Sequence, residues 1–294
     1  MERRATYAGF SAVIIFSIGT LIYAMSGAIP AFQFLAMGFL SGGLLILSYQ
    51  KLRGETVLKH AKQSISTYIV VLLGIGVHNI ALMLVFRSAP AFEVNVINYL
   101  WPILIVVLGA LSERKWLNIP STIGMLCGFL GMVFLFIPEQ GQTFFATFER
   151  GHWLALLGAF SWAIYSVLRK NFQCSSAFLG FIVTVLGVVF LLMHLIWEQT
   201  VMPSPIMLAI ILLFGFSRIC YVLWDHAMQK GDRVLVAAAS YFTPLLSTIL
   251  FIIFGLKPNS PYIAVAGAMI ILGCLAVNAP KIFSGLGRLK EKRA

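Results

Sequence analysis

The chain has 294 residues, of which 60% are hydrophobic and only 11% charged, with a mean hydropathy of +0.94. A soluble domain carries about 25% charged residues, so composition excludes one and points to a polytopic membrane protein. The net charge of +11 does not point to nucleic acid, because the basic residues sit in short loops and not along one face.

A spanning helix needs about 20 mostly apolar residues. The first such run, 6–25, follows MERR with no small-residue cleavage site behind it, and reads as a retained helix. Runs at 29–49, 64–86, 92–111 and 119–137 follow, then 152–170, 177–197, 205–227, 234–255 and 261–279. The expected fold is an all-α integral membrane protein of ten transmembrane helices. The segments expected inside hold 17 of the Lys and Arg residues; the outer loops hold 3, Arg87, Arg150 and Lys257; Arg218 lies within a helix. Positive charge marks the cytoplasmic side, so both termini are expected there.

Several runs carry residues that lipid does not satisfy. The second has Gly38 and Gly42, and the fifth has Gly124, Gly128 and Gly131, spacings that let helices approach closely. These read mainly as internal packing, which leaves a monomer expected and a homodimer as the alternative. The third run contains His78. The fourth contains Asn95, Asn98, Tyr99 and Pro102 on one helical face; the last three belong to the sequence NYLWP, which also supplies Trp101. The sixth contributes Trp162, too deep for an interfacial belt, and Tyr165. The eighth holds Arg218, Tyr221, Trp224 and Asp225, and the ninth holds Ser240, Tyr241 and Pro244 within SYFTP. Proline has no N–H, so Pro102 and Pro244 are expected to kink their helices and free the carbonyls of residues 98 and 240. An intramembrane Arg faces a bundle interior or water. Arg218 thus either meets substrate or pairs structurally, and His78 either meets substrate or bonds a neighbouring carbonyl. Each aromatic residue serves either as packing or as cavity wall.

Pro102 and Pro244 are 142 residues apart, and the same offset relates Tyr99 to Tyr241, Leu130-Gly131 to Leu272-Gly273 and Pro138 to Pro280. An offset of 144 relates Phe16-Ser17 to Phe160-Ser161. The chain therefore divides into two repeats, 1–142 and 143–294. Five helices each is an odd number, so the repeats enter the membrane from opposite sides. Such inverted repeats characterise secondary transporters, with the site near the midplane.

The stretch Gly74–Pro138 resembles one repeat of the EamA type, from the drug/metabolite transporter superfamily. The likeness rests on the polar-to-proline fourth helix, the Glu113-Arg114 turn and the glycine-rich fifth helix. Residues 215–280 resemble the second copy, with GLKPNS at 255–260 in place of the acidic-basic turn. Glu93-Val94, NYLWP, Trp162, Lys170, Tyr221, Trp224 and SYFTP carry a likeness to the superfamily's aromatic amino acid exporters. The resemblance implies export of aromatic and other amino acids across a bacterial inner membrane. It also implies a central cavity lined by helices 1, 3, 4, 6, 8 and 9. Arg218 and the pair His78-Asn79 depart from its pattern.

The expected protein is an amino-acid exporter working by alternating access. The substrate ring lies against Trp101, Trp162, Tyr221 and Trp224, its ammonium against the freed carbonyls, and its carboxylate against Asn98, Tyr99, His78 or Arg218. Its partners are small-molecule substrates and the bilayer. No cofactor and no metal are expected: no nucleotide-binding motif occurs, and Cys127, Cys174, Cys220 and Cys274 have neither paired nor metal-like spacing. Titratable groups for proton coupling are few (His78, Glu93, His194, Asp225), so a uniporter stays open. A nucleotide-sugar or drug carrier of the same superfamily is the alternative. An intramembrane enzyme is remote, since HExxH, a GxSG serine and paired membrane aspartates do not occur.

Overall fold

The structure, a computed structural model, describes residues 2–27, 29–55, 62–88, 96–114, 117–135, 150–171, 175–255 and 262–291, without the side chains of 86–88 and 280–291. Hydrocarbon offers the backbone no hydrogen-bond partner, so apolar runs of this length bond internally as α-helices. The helices are α1 (Glu2–Ala24), α2 (Ala31–Leu52), α3 (Ile65–Ser88), α4 (Trp101–Glu113), α5 (Ile119–Leu135), α6 (Arg150–Leu168), α7 (Ser176–Trp197), α8a and α8b (Pro205–Ser217 and Ile219–Lys230), α9a and α9b (Arg233–Ala239 and Phe242–Ile253), and α10 (Tyr262–Glu291). Among the described residues nine spans are long and apolar enough to cross a membrane, and α5 is a shorter apolar helix. The boundary at 142/143 lies outside the described residues.

Helix packing does not divide the chain into two side-by-side halves. Helix α2 packs on α7, α5 on α10, α3 on α6 and α1 on α8b. Each of these pairs joins a helix of the first five to one of the last five. The pairs also exchange under a two-fold operation: α1 with α8b and α9b is matched by α6 with α3 and α4. Two hydrogen bonds join residues separated by the repeat offset itself. Tyr221 Oη donates to Asn79 Oδ1 at 2.9 Å, and Cys127 Sγ donates to the Met269 carbonyl at 3.3 Å, both across 142 positions. Equivalent residues that touch lie on the pseudo-two-fold axis, which therefore passes between α3 and α8b and between α5 and α10. Two groups result, α3–α4–α6 and α1–α8–α9, flanked by the pairs α2–α7 and α5–α10.

Glycine makes the α5–α10 and α2–α8a packings tight. A Cβ at Gly124 would meet the Gly273 carbonyl and Val277, and one at Gly131 would stand 2.9 Å from the Ala266 carbonyl. A Cβ at Gly38 would enter the Phe214 ring, and one at Gly42 would strike Arg218. Both glycine faces are thus occupied within the chain.

Three spans are interrupted. The NYLWP span has a helical turn at 96–98, a turn at Tyr99-Leu100, and then α4, so Pro102 opens a new helix rather than bending one. Ser240-Tyr241 interrupt the ninth span in the same way. There the Ser240 carbonyl is not free as expected: it accepts from the Thr243 N–H at 2.9 Å, a tighter turn that absorbs the group left by Pro244. The third interruption, at Arg218, has no proline and was not expected. The Phe214 carbonyl is taken by Ser217 Oγ at 2.7 Å and Arg218 Nε at 3.2 Å, and the Arg218 backbone N–H turns to Gly215 instead. Side chains that compete for a helix carbonyl locally break the ladder.

Candidate functional site

A cavity lies between the two groups, walled by residues of α1, α3, α4, α6, α8 and α9. It is narrow, with a volume of about 70 Å³. Of the expected residues, His78, Asn98, Tyr99, Trp101, Trp162, Arg218 and Tyr221 line it. Ile15, Phe16, Gly19, Thr20 and Tyr23 of α1 line it too, as do Asn79 and Thr243.

Trp162 is the centre of the aromatic wall. His78 lies 4.9 Å from it at an interplanar angle of 34°, Tyr221 5.9 Å from it, and Phe16 meets it edge-on at 5.7 Å. The break before Pro102 turns Trp101 edge-on to Trp162 at 6.5 Å and to Trp224 at 5.3 Å. His78 Nδ1 bonds the Gly158 carbonyl at 3.0 Å, which ties α3 to α6 and fixes the ring against the cavity.

The polar end is built around Arg218, which is 4% exposed. Its Nη1 donates to Asn79 Oδ1 at 3.2 Å and Tyr221 Oη at 2.6 Å, and its Nη2 donates to Ser217 Oγ at 3.0 Å. Tyr23 Oη donates to Asn79 Oδ1 at 2.7 Å, and Asn79 anchors itself on the Ile75 carbonyl at 2.7 Å. The guanidinium also lies 3.9 Å from the Phe214 ring centre and 5.3 Å from that of Phe39. Arg218 does not pair with Asp225, the structural alternative read from the sequence. Every acceptor around it is neutral.

Other expected residues lie elsewhere. Trp224 stacks behind Trp162 and donates from Nε1 to Ser166 Oγ at 3.0 Å. Tyr165 donates to Asp225 Oδ1 at 3.1 Å, below the cavity. Ser240 Oγ donates to the Val236 carbonyl at 2.8 Å, and Tyr241 packs on Gly128 and Phe129; neither lines the cavity. For Ser240 and Tyr241, the symmetric recurrence of SYFTP repeats a backbone break and not a cavity lining. Asn95 lies outside the described residues.

Toward the face that carries the first residues of α1, the two groups are closed in layers. Asp225 accepts from Arg169 Nη2 at 2.8 Å and from Gln229 Nε2 at 2.6 Å; both members of the ion pair are buried. Beyond it, Glu113 of α4 accepts from Lys170 at 2.8 Å and pairs with Arg233 of α9a. Sequence reasoning missed Thr20 and Tyr23, although Phe16, Thr20 and Tyr23 repeat at the 4-and-3 spacing of one helical face. The clusters at Asp225 and Glu113 have no short-range signal.

The same architecture is found in known proteins. The sequence profile of the EamA-like transporter family matches residues 4–137 and again 149–279. The chain belongs to that family. It is 29% identical over 274 residues to the aromatic amino acid exporter YddG of Ancylobacter novellus, covering 92% of this chain and 95% of that one. It is 25% identical to YddG of Escherichia coli K12, covering 89% and 84%. A solved crystal structure matches with a TM-score of 0.86 at 26% identity, over 95% of this chain and 98% of its own. This EamA-like chain is thus a multi-pass membrane transporter, all-helical and of two-repeat architecture, a secondary transporter that acts on small molecules.

Proposed function

We propose that this transporter exports aromatic amino acids and related amphipathic metabolites across a bacterial inner membrane, with both termini in the cytoplasm. The carrying observation is the cavity between the α3–α4–α6 and α1–α8–α9 groups, walled by Trp101, Trp162 and Tyr221 and ended by Arg218. Ring pairs of this kind contribute about 0.5–1.5 kcal/mol beyond area burial. A hydrophobic wall discriminates weakly between apolar side chains, about 1–3 kcal/mol per methylene. Tolerance is therefore broad among phenylalanine, tyrosine and tryptophan, and extends to methionine.

Because each group draws helices from both repeats, the alternating motion is one mixed group against the other, not repeat against repeat. In the proposed orientation the Asp225 and Glu113 clusters shut the cytoplasmic side. The test is counterflow of labelled phenylalanine into liposomes holding the purified protein, together with protection of overproducing cells against toxic phenylalanine analogues. Absence of both would sink the proposal.

A further inference from the structure

We infer that Arg218 receives the carboxylate of the substrate and Asn98 the hydrogen-bond donor beside it, so that the cavity reads an α-amino-acid headgroup. This rests on the transport reading above and deepens it.

A guanidinium has five N–H donors. At Arg218 four are committed: Nε to Phe214, both of Nη1 to Asn79 and Tyr221, and one of Nη2 to Ser217. The Tyr23 hydroxyl is a further partner of the guanidinium, neutral like the others. Nη2 stands 3.9 Å from the point where a Cβ at Gly19 would lie, and no other side chain of a neighbouring helix is within 4 Å of that point. The guanidinium thus borders an open notch on the cavity wall, one that glycine keeps clear. No carboxylate pairs with Arg218 among the described residues; Asp225 is committed to Arg169. A buried charge without a countercharge is costly, and the cost falls when an anion arrives.

The second pole is Asn98. Its Oδ1 is buried, lines the same cavity, and has no hydrogen-bond partner. An orphaned buried acceptor carries a desolvation penalty of about 1–3 kcal/mol that a ligand N–H relieves. Asn98 begins the α4 span and Arg218 joins α8a to α8b, so the two poles sit on opposite moving groups. A substrate with an adjacent carboxylate and ammonium bridges them, with its ring along His78 and Trp162 between. A plain aromatic amine or amide leaves Arg218 uncompensated.

The test uses thermal stabilisation of the purified protein by phenylalanine, 3-phenylpropionate and phenylalaninamide. Phenylalanine binds tightest. 3-Phenylpropionate, without the ammonium, is weaker by about tenfold, and phenylalaninamide, without the carboxylate, by roughly a hundredfold. Arg218→Gln removes the preference for a carboxylate, and Gly19→Leu, which fills the notch, weakens the two acids and not the amide. Phenylalaninamide binding the parent protein as tightly as phenylalanine overturns the Arg218 assignment, whatever the variants do. Equal binding of phenylalanine and 3-phenylpropionate overturns the Asn98 assignment. If carboxylate-dependent stabilisation holds while phenylalanine counterflow is absent, the headgroup inference stands and the transport reading fails.

Discussion

Arg169 at the end of α6 and Asp225 on α8b form a buried ion pair that ties the α3–α4–α6 group to the α1–α8–α9 group. Removing one member of such a pair strands a charge away from water, which costs about 3–5 kcal/mol. Asp225→Asn is therefore expected to lower the unfolding midpoint in detergent markedly. The double variant Arg169→Met with Asp225→Leu is expected to recover most of that loss. An Asp225→Asn midpoint equal to the parent's would show that the pair is not closed in solution.

Glu113 differs, because it and its partners Lys170 and Arg233 are partly exposed. Surface pairs contribute about 0–1 kcal/mol, so Glu113→Gln barely changes stability. Its effect falls on accessibility. Val106 and Ala110 line a groove beside Glu113 and Arg233. A cysteine at Ala110 is expected to react several-fold faster with a thiol reagent from the cytoplasmic side once Glu113 is neutral. An unchanged rate would argue that this cluster does not hold the groups together.

The two tryptophans stacked at 5.7 Å are expected to separate in function. Trp162→Ala and Trp101→Ala open the cavity wall and lower transport of aromatic substrates more than that of small aliphatic ones. Trp224→Phe keeps a ring but leaves Ser166 Oγ without its donor, at about 1–3 kcal/mol of stability. Its ranking of substrates stays that of the parent. A shift in that ranking for Trp224→Phe would put Trp224 back in the site.

Pro102→Ala and Pro244→Ala are both expected to reduce transport while the protein still inserts. The effect is larger at Pro102, since the Tyr99-Leu100 break aims Asn98, Tyr99 and Trp101 at the cavity. At Pro244 the Ser240 carbonyl already has Thr243 as its donor, so a restored N–H finds it occupied. Transport rates at matched expression decide the order.

The orientation is checked with single cysteines. Those at Gly141 and Ser204 are expected to react with an impermeant thiol reagent from outside, and those at Glu55 and Asp232 are not. Reversed labelling would invert the whole map.

Hydropathy made the ten spans legible, because twenty apolar residues have one solution in lipid. The recurrence of NYLWP as SYFTP correctly placed two backbone breaks. It does not bring Ser240 and Tyr241 to the cavity wall, since sequence symmetry fixes where a helix breaks and not which neighbours then fill the space. The break at Arg218 was hidden because its cause is a side chain taking the Phe214 carbonyl, which no helix-breaking residue announces. Arg169 looked like a loop charge counted for orientation. Its burial depends on Asp225, 56 positions away, and only tertiary packing brings them together.

The two-fold relation among the helices has an energetic counterpart that the charges violate. Met25 stands 144 residues before Arg169, and Met83 stands 142 before Asp225. Gly255 stands 142 after Glu113, and Ser26 stands 144 before Lys170. Where one mouth is latched by ions, the equivalent positions at the other hold thioethers, a hydroxyl and a glycine. In the proposed cycle the two faces are alike in geometry but unequal in depth, and salt, which screens the outermost latch, lessens the inequality. Such a bias sets which way the empty carrier waits, while in a carrier without coupling the substrate gradient alone sets the direction of net flux.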